Sequence, residues 1–156
     1  MTDLILRSPA FANGDEIPDR YGYDAANVNP PLEIDGVPDE TESFVLIMDD
    51  PDAMEPAGKI WEHWICWNIP SGTESIPEDW NPAESASLAV EGANDFDEVG
   101  YGGPAPPDRE HTYRCGLYAL DTTLDVAAEA SKDEVTHAMH GHVVAHAELT
   151  GTYAPR

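Results

Sequence analysis

The chain has 156 residues, 41% of them hydrophobic, with 31 acidic against 7 basic side chains and a net charge of −24. This length suits a single domain, residues 1–156, with a core of its own, and no apolar run approaches the roughly 20 residues that a membrane span needs. The charge excludes nucleic acid as a partner, because phosphate contacts need clustered Lys and Arg, and it argues against stable membrane association.

Met1-Thr2-Asp3-Leu4 has no basic segment followed by an apolar one, so the expected compartment is the cytoplasm. Leu4 to Leu6 reads as a short edge strand, and Asp15 to Tyr23 as turn and loop. Asn29-Pro30-Pro31 forces an extended backbone ahead of Leu32 and Ile34. Ser43 to Asp49 and His63 to Ile69 are strands of apolar, β-branched and aromatic residues. Pro51 and Pro56 interrupt the chain between them. Along the second strand, alternation puts Trp64 in the core and leaves Trp61 and Trp67 facing outward or into a pocket. Ser71 to Ser85 reads as an irregular loop, Leu88 to Glu91 as a short strand, and Asn94 to Gly100 as a polar, acidic stretch.

Gly100 to Asp108, G-Y-G-G-P-A-P-P-D, is a loop stiffened by proline and bent by glycine. Thr112 to Leu120 is a third major strand. Ser131 and Glu134 form an S-x-x-E capping box that starts a helix with Val135, Ala138 and Met139 on its apolar face, and Gly141 ends it. His142 to Thr150 alternates as a final strand. Strands joined by loops and a single clear helix predict a mainly β domain of two packed, largely antiparallel sheets, with one or two short helices near the C-terminus.

Acid is spread along the whole chain, as on the surface of a salt-adapted protein from a halophile's cytoplasm. Repulsion of that size weakens a compact state in dilute salt. Cys66 and Cys115 sit inside apolar runs and read as buried free thiols. His137, His140, His142 and His146 read as solvated side chains, because a helix stop at Gly141 removes the spacing that would hold a metal.

Two loops carry the candidate site. One supplies Asp50, Asp52 and His63; the other supplies Gly103, Pro104, Pro106, His111 and Tyr113. His111 and Tyr113 share a strand face. His63 and His111 stand at strand starts and converge if both strands enter the sheet from one end. Two imidazoles, a phenol and the amides of a Gly-rich turn suit a small oxyanion. Asp50 accepts from a histidine N–H, and Asp52 caps the turn at Pro51. Affinity is expected to rise as pH falls through about 6.5. The alternative is a hydrolase or metal-dependent enzyme built on the same Asp/His pocket, although no G-x-S-x-G or H-E-x-x-H motif is present. A third reading makes an interface the function of an acidic structural subunit.

D-P-D-A at Asp50 to Ala53, W-x-H-W at Trp61 to Trp64, G-Y-G-G-P-A-P-P at Gly100 to Pro107 and H-T-Y at His111 to Tyr113 together resemble the phosphatidylethanolamine-binding proteins, most of all their short bacterial and archaeal, Raf kinase inhibitor-like branch. N-P-P-L at Asn29, L-Y-A-L-D at Leu117, G-H-V-V-A at Gly141 and G-T-Y at Gly151 extend the resemblance over nearly the whole chain. It implies a β-sandwich with a pocket for phosphate, a carboxylate or a phosphorylated head group. By position it implies Asp50, Pro51, His63, Gly103, Pro104, His111 and Tyr113 as pocket residues, with Trp61 as a wall. It further implies a homodimer, and the first reading of the function is a non-enzymatic binding module without cofactor whose cellular role runs through a protein partner. Met54 stands where the family often has proline, which makes that wall more apolar. The chain ends at Arg156, before the helix that borders the pocket in eukaryotic members, so a more open pocket is expected.

Overall fold

The computed structural model describes residues 3–82, 88–128 and 130–155. Two antiparallel sheets carry the fold. The smaller is ordered β1-β2-β5, from Ile5–Arg7 (β1), Leu32–Asp35 (β2) and Ser75–Ile76 (β5). The larger is ordered β6-β4-β3-β7-β8, from Val90–Glu91 (β6), Trp61–Pro70 (β4), Ser43–Asp50 (β3), His111–Leu120 (β7) and Val143–Tyr153 (β8). β3 is the central strand, and every one of its residues is buried. Its unbroken apolar run follows from having both faces covered.

One face of the larger sheet packs on the smaller sheet and the N-terminal segment through Phe44, Leu46, Met48, Trp64, Tyr113 and Leu117. The other face carries Val45, Ile47, Ile65 and Trp67 beneath the helix α2, Lys132–Met139, which contributes Val135 and Met139. Ser131 caps α2 with both halves of the expected capping box, and Gly141 follows with φ +84°. Trp67 lies on the face opposite Trp64, as alternation predicts, but α2 covers that face, so Trp67 is wholly buried in this second core instead of facing outward or into a pocket. The register of β3 against β4 shifts between Phe44 and Leu46 and again between Met48 and Asp49. Each shift breaks the simple alternation along β4.

Other departures are local. The helix α1, Met54–Ala57, sits between β3 and β4, so the second short helix is not near the C-terminus. Pro51 opens a 3-10 turn, Pro51–Ala53, just before it. The loop expected over Ser71 to Ser85 contains β5, while Ala83 to Ser85 lie outside the described residues. A second 3-10 turn, Asp19–Tyr21, lies in the N-terminal loop. Cys66 and Cys115 are buried free thiols, and burial pushes both up from the ordinary thiol range. His142 pairs with Asp121 at 2.8 Å, and the His146 ring stacks on Tyr118.

Each described Lys and Arg side chain has a carboxylate partner: Arg7, Arg20, Lys59, Arg109, Arg114 and Lys132. Asp49 and Asp50 are the buried carboxylates among the described residues. The remaining acid repels itself across solvent. The melting temperature is therefore expected to rise between 0.1 M and 1 M KCl, as the screening length falls from about 10 Å to about 3 Å. A flat or falling melting temperature would remove self-repulsion as a determinant of stability.

Candidate functional site

β4 and β7 both flank β3 and both run antiparallel to it. They therefore start at the rim where β3 ends. That topology brings Asp50, His63 and His111 together from three strands. Adjacent residues point to opposite faces. Asp49 turns towards the α2 side, where it accepts from Arg114 Nε at 2.8 Å and Nη2 at 3.0 Å and pairs with Lys132 at 3.3 Å. Asp50 turns towards the rim cavity.

The cavity has a volume of about 180 Å³. Asp50, His63, His111 and Tyr113 form its polar end. Ala53, Pro56, Ala57, Trp61, Phe96 and the Ala105–Pro107 segment form its walls. Of the expected site residues, Asp50, Trp61, His63, His111 and Tyr113 line it. Pro51, Gly103 and Pro104 do not; Pro104 borders a separate groove with Asp24 and Tyr153.

Glycine amides do not form the expected anion cradle. Gly100 N–H donates to the Gly92 carbonyl at 3.1 Å, and Gly102 N–H to the His63 carbonyl at 2.8 Å. Gly103 N–H donates to Asn27 Oδ1 at 2.8 Å. These bonds tie the loop to Gly92 just after β6, to β4 and to the N-terminal segment. A Cβ at Gly103 would lie 2.0 Å from the Tyr21 carbonyl oxygen, so glycine is needed there for close approach.

The turn after β3 is capped by Asp50, whose Oδ1 accepts from Asp52 N–H at 2.9 Å. Asp52 was the expected cap. Its Oδ2 instead accepts from Thr112 N–H at 2.8 Å, joining the turn to β7. The second Asp50 oxygen accepts from His111 Nδ1 at 2.6 Å, and Asp108 Oδ1 accepts from His111 Nε2 at 2.7 Å. An imidazole with a carboxylate on each nitrogen satisfies both only when both nitrogens carry hydrogen. Burial works against that charge, but the hydrogen bonds and charges of Asp50 and Asp108 outweigh it and hold the His111 pKa above its ordinary value.

His63 behaves in the opposite way. It is 2% exposed, and its Nδ1 donates to the Gly102 carbonyl at 2.7 Å. Burial lowers its pKa, with the Gly102 carbonyl and the Asp50 charge opposing. The ring is neutral near pH 7, with Nδ1 carrying the hydrogen and Nε2 unprotonated. The Tyr113 ring meets His63 edge-on at 5.2 Å. The Tyr113 hydroxyl is buried and has no hydrogen-bond partner among the described residues. Burial first, then the charge and the hydrogen-bonding approach of the Asp50 carboxylate, raise its pKa and keep it a donor.

Phe96 and Asp108 are site residues that sequence reasoning missed. Phe96 stacks on Tyr23 at 3.9 Å and stands edge-on to Trp61 and His63, both at 5.6 Å. Its signal was a lone aromatic inside the acidic stretch Asn94 to Gly100. Buried Asn94 shapes that stretch by accepting from Phe96 N–H and donating to the Gly100 carbonyl. Asp108 lies three residues before His111, in a segment with no strand or helix pattern.

A two-sheet β-sandwich with a small aromatic- and proline-walled cavity at one rim is the class that fold and site define. The sequence profile of the family described as phosphatidylethanolamine-binding protein matches residues 7–154, and the chain belongs to that family. The UPF0098 protein of Methanothermobacter thermautotrophicus is 45% identical over 153 residues, covering 96% of this chain and 98% of the relative. The crystal structure of a putative phosphatidylethanolamine-binding protein homologue from Chlamydia trachomatis superposes with a TM-score of 0.90 at 37% identity, covering 98% of each chain. E. coli YbcL does so with a TM-score of 0.88 at 31% identity, covering 99% of each. No helix among the described residues is long and apolar enough to cross a membrane.

Proposed function

We propose that the protein is a non-enzymatic binding module for a small oxyanion: phosphate, a carboxylate or a phosphorylated head group. One observation carries this reading. The Tyr113 hydroxyl, on a residue 1% exposed, borders the cavity without a formed hydrogen bond, with the Asp50 carboxylate and the Ala105 backbone as its polar neighbours. A buried donor of that kind is costly unless something accepts from it. The His111 imidazolium beside it supplies positive charge, and the family name points to a phosphorylated ligand. At about 180 Å³ the cavity is smaller than the roughly 300–1,000 Å³ of drug-sized ligand sites. A headgroup-sized guest fits those dimensions better than a large substrate.

We read the Asp, His and Tyr groups of the described lining as holding a guest, with the hydrolase or metal-dependent enzyme built on the same pocket as the alternative. A cellular effect would then run through a protein partner that senses the occupied pocket.

The pH dependence follows from the two histidines. Anion affinity is expected to fall as pH rises through the His111 value, which lies above the ordinary imidazole value. It should tighten again below pH 6.5, where His63 gains its proton late because its value is lowered. Titration calorimetry with inorganic phosphate tests this. Sulfate, whose charge is constant over that range, isolates the protein's own protons. Tyr113→Phe is expected to weaken binding about 10-fold or more, the loss of one hydrogen bond to a charged guest. Equal affinity in parent and Tyr113→Phe, together with no pH dependence for sulfate, would end the reading.

A further inference from the structure

The chain Asp50–His111–Asp108 is unequal at its two ends. The Asp50 side chain is 4% exposed and the His111 side chain 0%, whereas Asp108 is 38% exposed. Asp50 is immobilised as the last residue of β3 and by its bond from Asp52 N–H. Asp108 belongs to the segment 101–110, which is neither helix nor strand, and one side-chain rotation would free it. Resting on the anion reading above, we propose that Asp108 is a built-in competitor for the guest: it holds the His111 Nε2 hydrogen, and an oxyanion binds by taking over that hydrogen while the carboxylate turns out to solvent.

Charge is the reason for exchange rather than simple addition. Asp50 from β3 and Asp108 from the loop bond the His111 ring, the Tyr113 phenol of β7 and His63 of β4 share its cavity, and Asp52 holds the neighbouring Thr112 N–H. Arg109 is the nearby described cation, 3.9 Å from Asp52. A guest added without release would place one more negative charge among these carboxylates, in a chain of net charge −24. Exchange keeps the local charge constant for a singly charged guest, and solvent takes up the released carboxylate.

The same argument sets specificity. Asp108 is a carboxylate tethered at high effective concentration, so a free monocarboxylate of equal chemistry competes poorly with it. A singly charged phosphate carries more acceptor oxygens than a carboxylate, and both His111 and Tyr113 line the one cavity it would occupy. The parent protein should therefore prefer phosphate to acetate, and Asp108 would be the residue that enforces the preference.

Calorimetric titration of inorganic phosphate and of acetate into the parent, Asp108→Ala and Asp108→Asn tests the exchange. Asp108→Ala is expected to bind acetate about tenfold more tightly than the parent, the loss of one charge-assisted competitor. Its gain for phosphate should be smaller. The pH above which affinity is lost should move down in both variants, because one of the two carboxylates that hold the His111 proton is gone. Phosphate binding by all three proteins with acetate affinity unchanged would overturn the exchange and leave the anion pocket standing. Failure of every protein to bind either anion at any pH would overturn the pocket reading, and the exchange with it.

Discussion

His111→Ala is expected to lower the free energy of unfolding by about 3–5 kcal/mol, the cost of leaving one member of a buried ion pair without its partner. The His111 side chain is 0% exposed and Asp50 is 4% exposed, so the substitution leaves a carboxylate that water cannot easily reach. Asp108 loses less, because its side chain already faces solvent. Urea unfolding monitored by fluorescence reads the difference. Placing Asp50→Asn in the same background should recover at least half of the loss. Asparagine keeps an oxygen to cap Asp52 N–H and removes the stranded charge. A double variant no more stable than His111→Ala would rule out the buried charge as the cause. The pH dependence has a definite sign. A pKa raised in the folded state gives stability that is complete below the unfolded value of about 6.5 and is lost as pH rises through the folded value. The gap between parent and His111→Ala should therefore be wider at pH 6 than at alkaline pH.

Trp67→Ala is the second large effect, expected to cost about 3–5 kcal/mol. The indole is 0% exposed and fills the layer between the larger sheet and α2, among Val45, Ile65, Val135 and Met139. Its removal leaves a cavity whose walls, a central sheet and a capped helix, cannot collapse fully. Trp67→Phe should cost much less, within about 1.5 kcal/mol. The Trp67 Nε1 hydrogen has no partner among the described residues, so phenylalanine also removes an unsatisfied donor. Thermal and urea unfolding of both variants distinguish the terms. A loss below about 1 kcal/mol for Trp67→Ala would mean that α2 adds little to the packed core.

Much of the architecture could be read before any coordinates. The Phe44–Met48 run, the strand beginning near Thr112 and the Ser131–Glu134 capping box each announce themselves within a few residues. Period and capping are local properties, and the structure agrees with them to within a residue or two. Trp67 was misjudged for an equally specific reason. Alternation places it on the face opposite Trp64, as found, but a strand's own pattern does not reveal that α2 covers that face. β5 and α1 escaped notice because elements this short owe their existence to neighbours rather than to their own pattern.

Asp50, Trp61, His63, His111 and Tyr113 could be nominated from residue type and family resemblance, and they do share one cavity. What each atom does there was not legible. The amides of Gly102 and Gly103 looked free to hold an anion until their partners, the His63 carbonyl and Asn27, were seen. The cap passed from Asp52 to Asp50, because Thr112 N–H claims the Asp52 carboxylate from sixty residues away.

Side-chain chemistry and short-range spacing dictate that this chain is acidic, mainly β and able to supply imidazole, phenol and carboxylate groups. Those properties belong to individual residues and their immediate neighbours, so they survive without any knowledge of the folded shape. Which histidine is charged, which tyrosine lacks a partner and which aspartate stands on the imidazole depend on burial and on contacts between β3, β4 and β7. Desolvation and hydrogen-bond geometry exist only once the sheets have packed, and the chemistry of this pocket is therefore a property of the assembled sandwich.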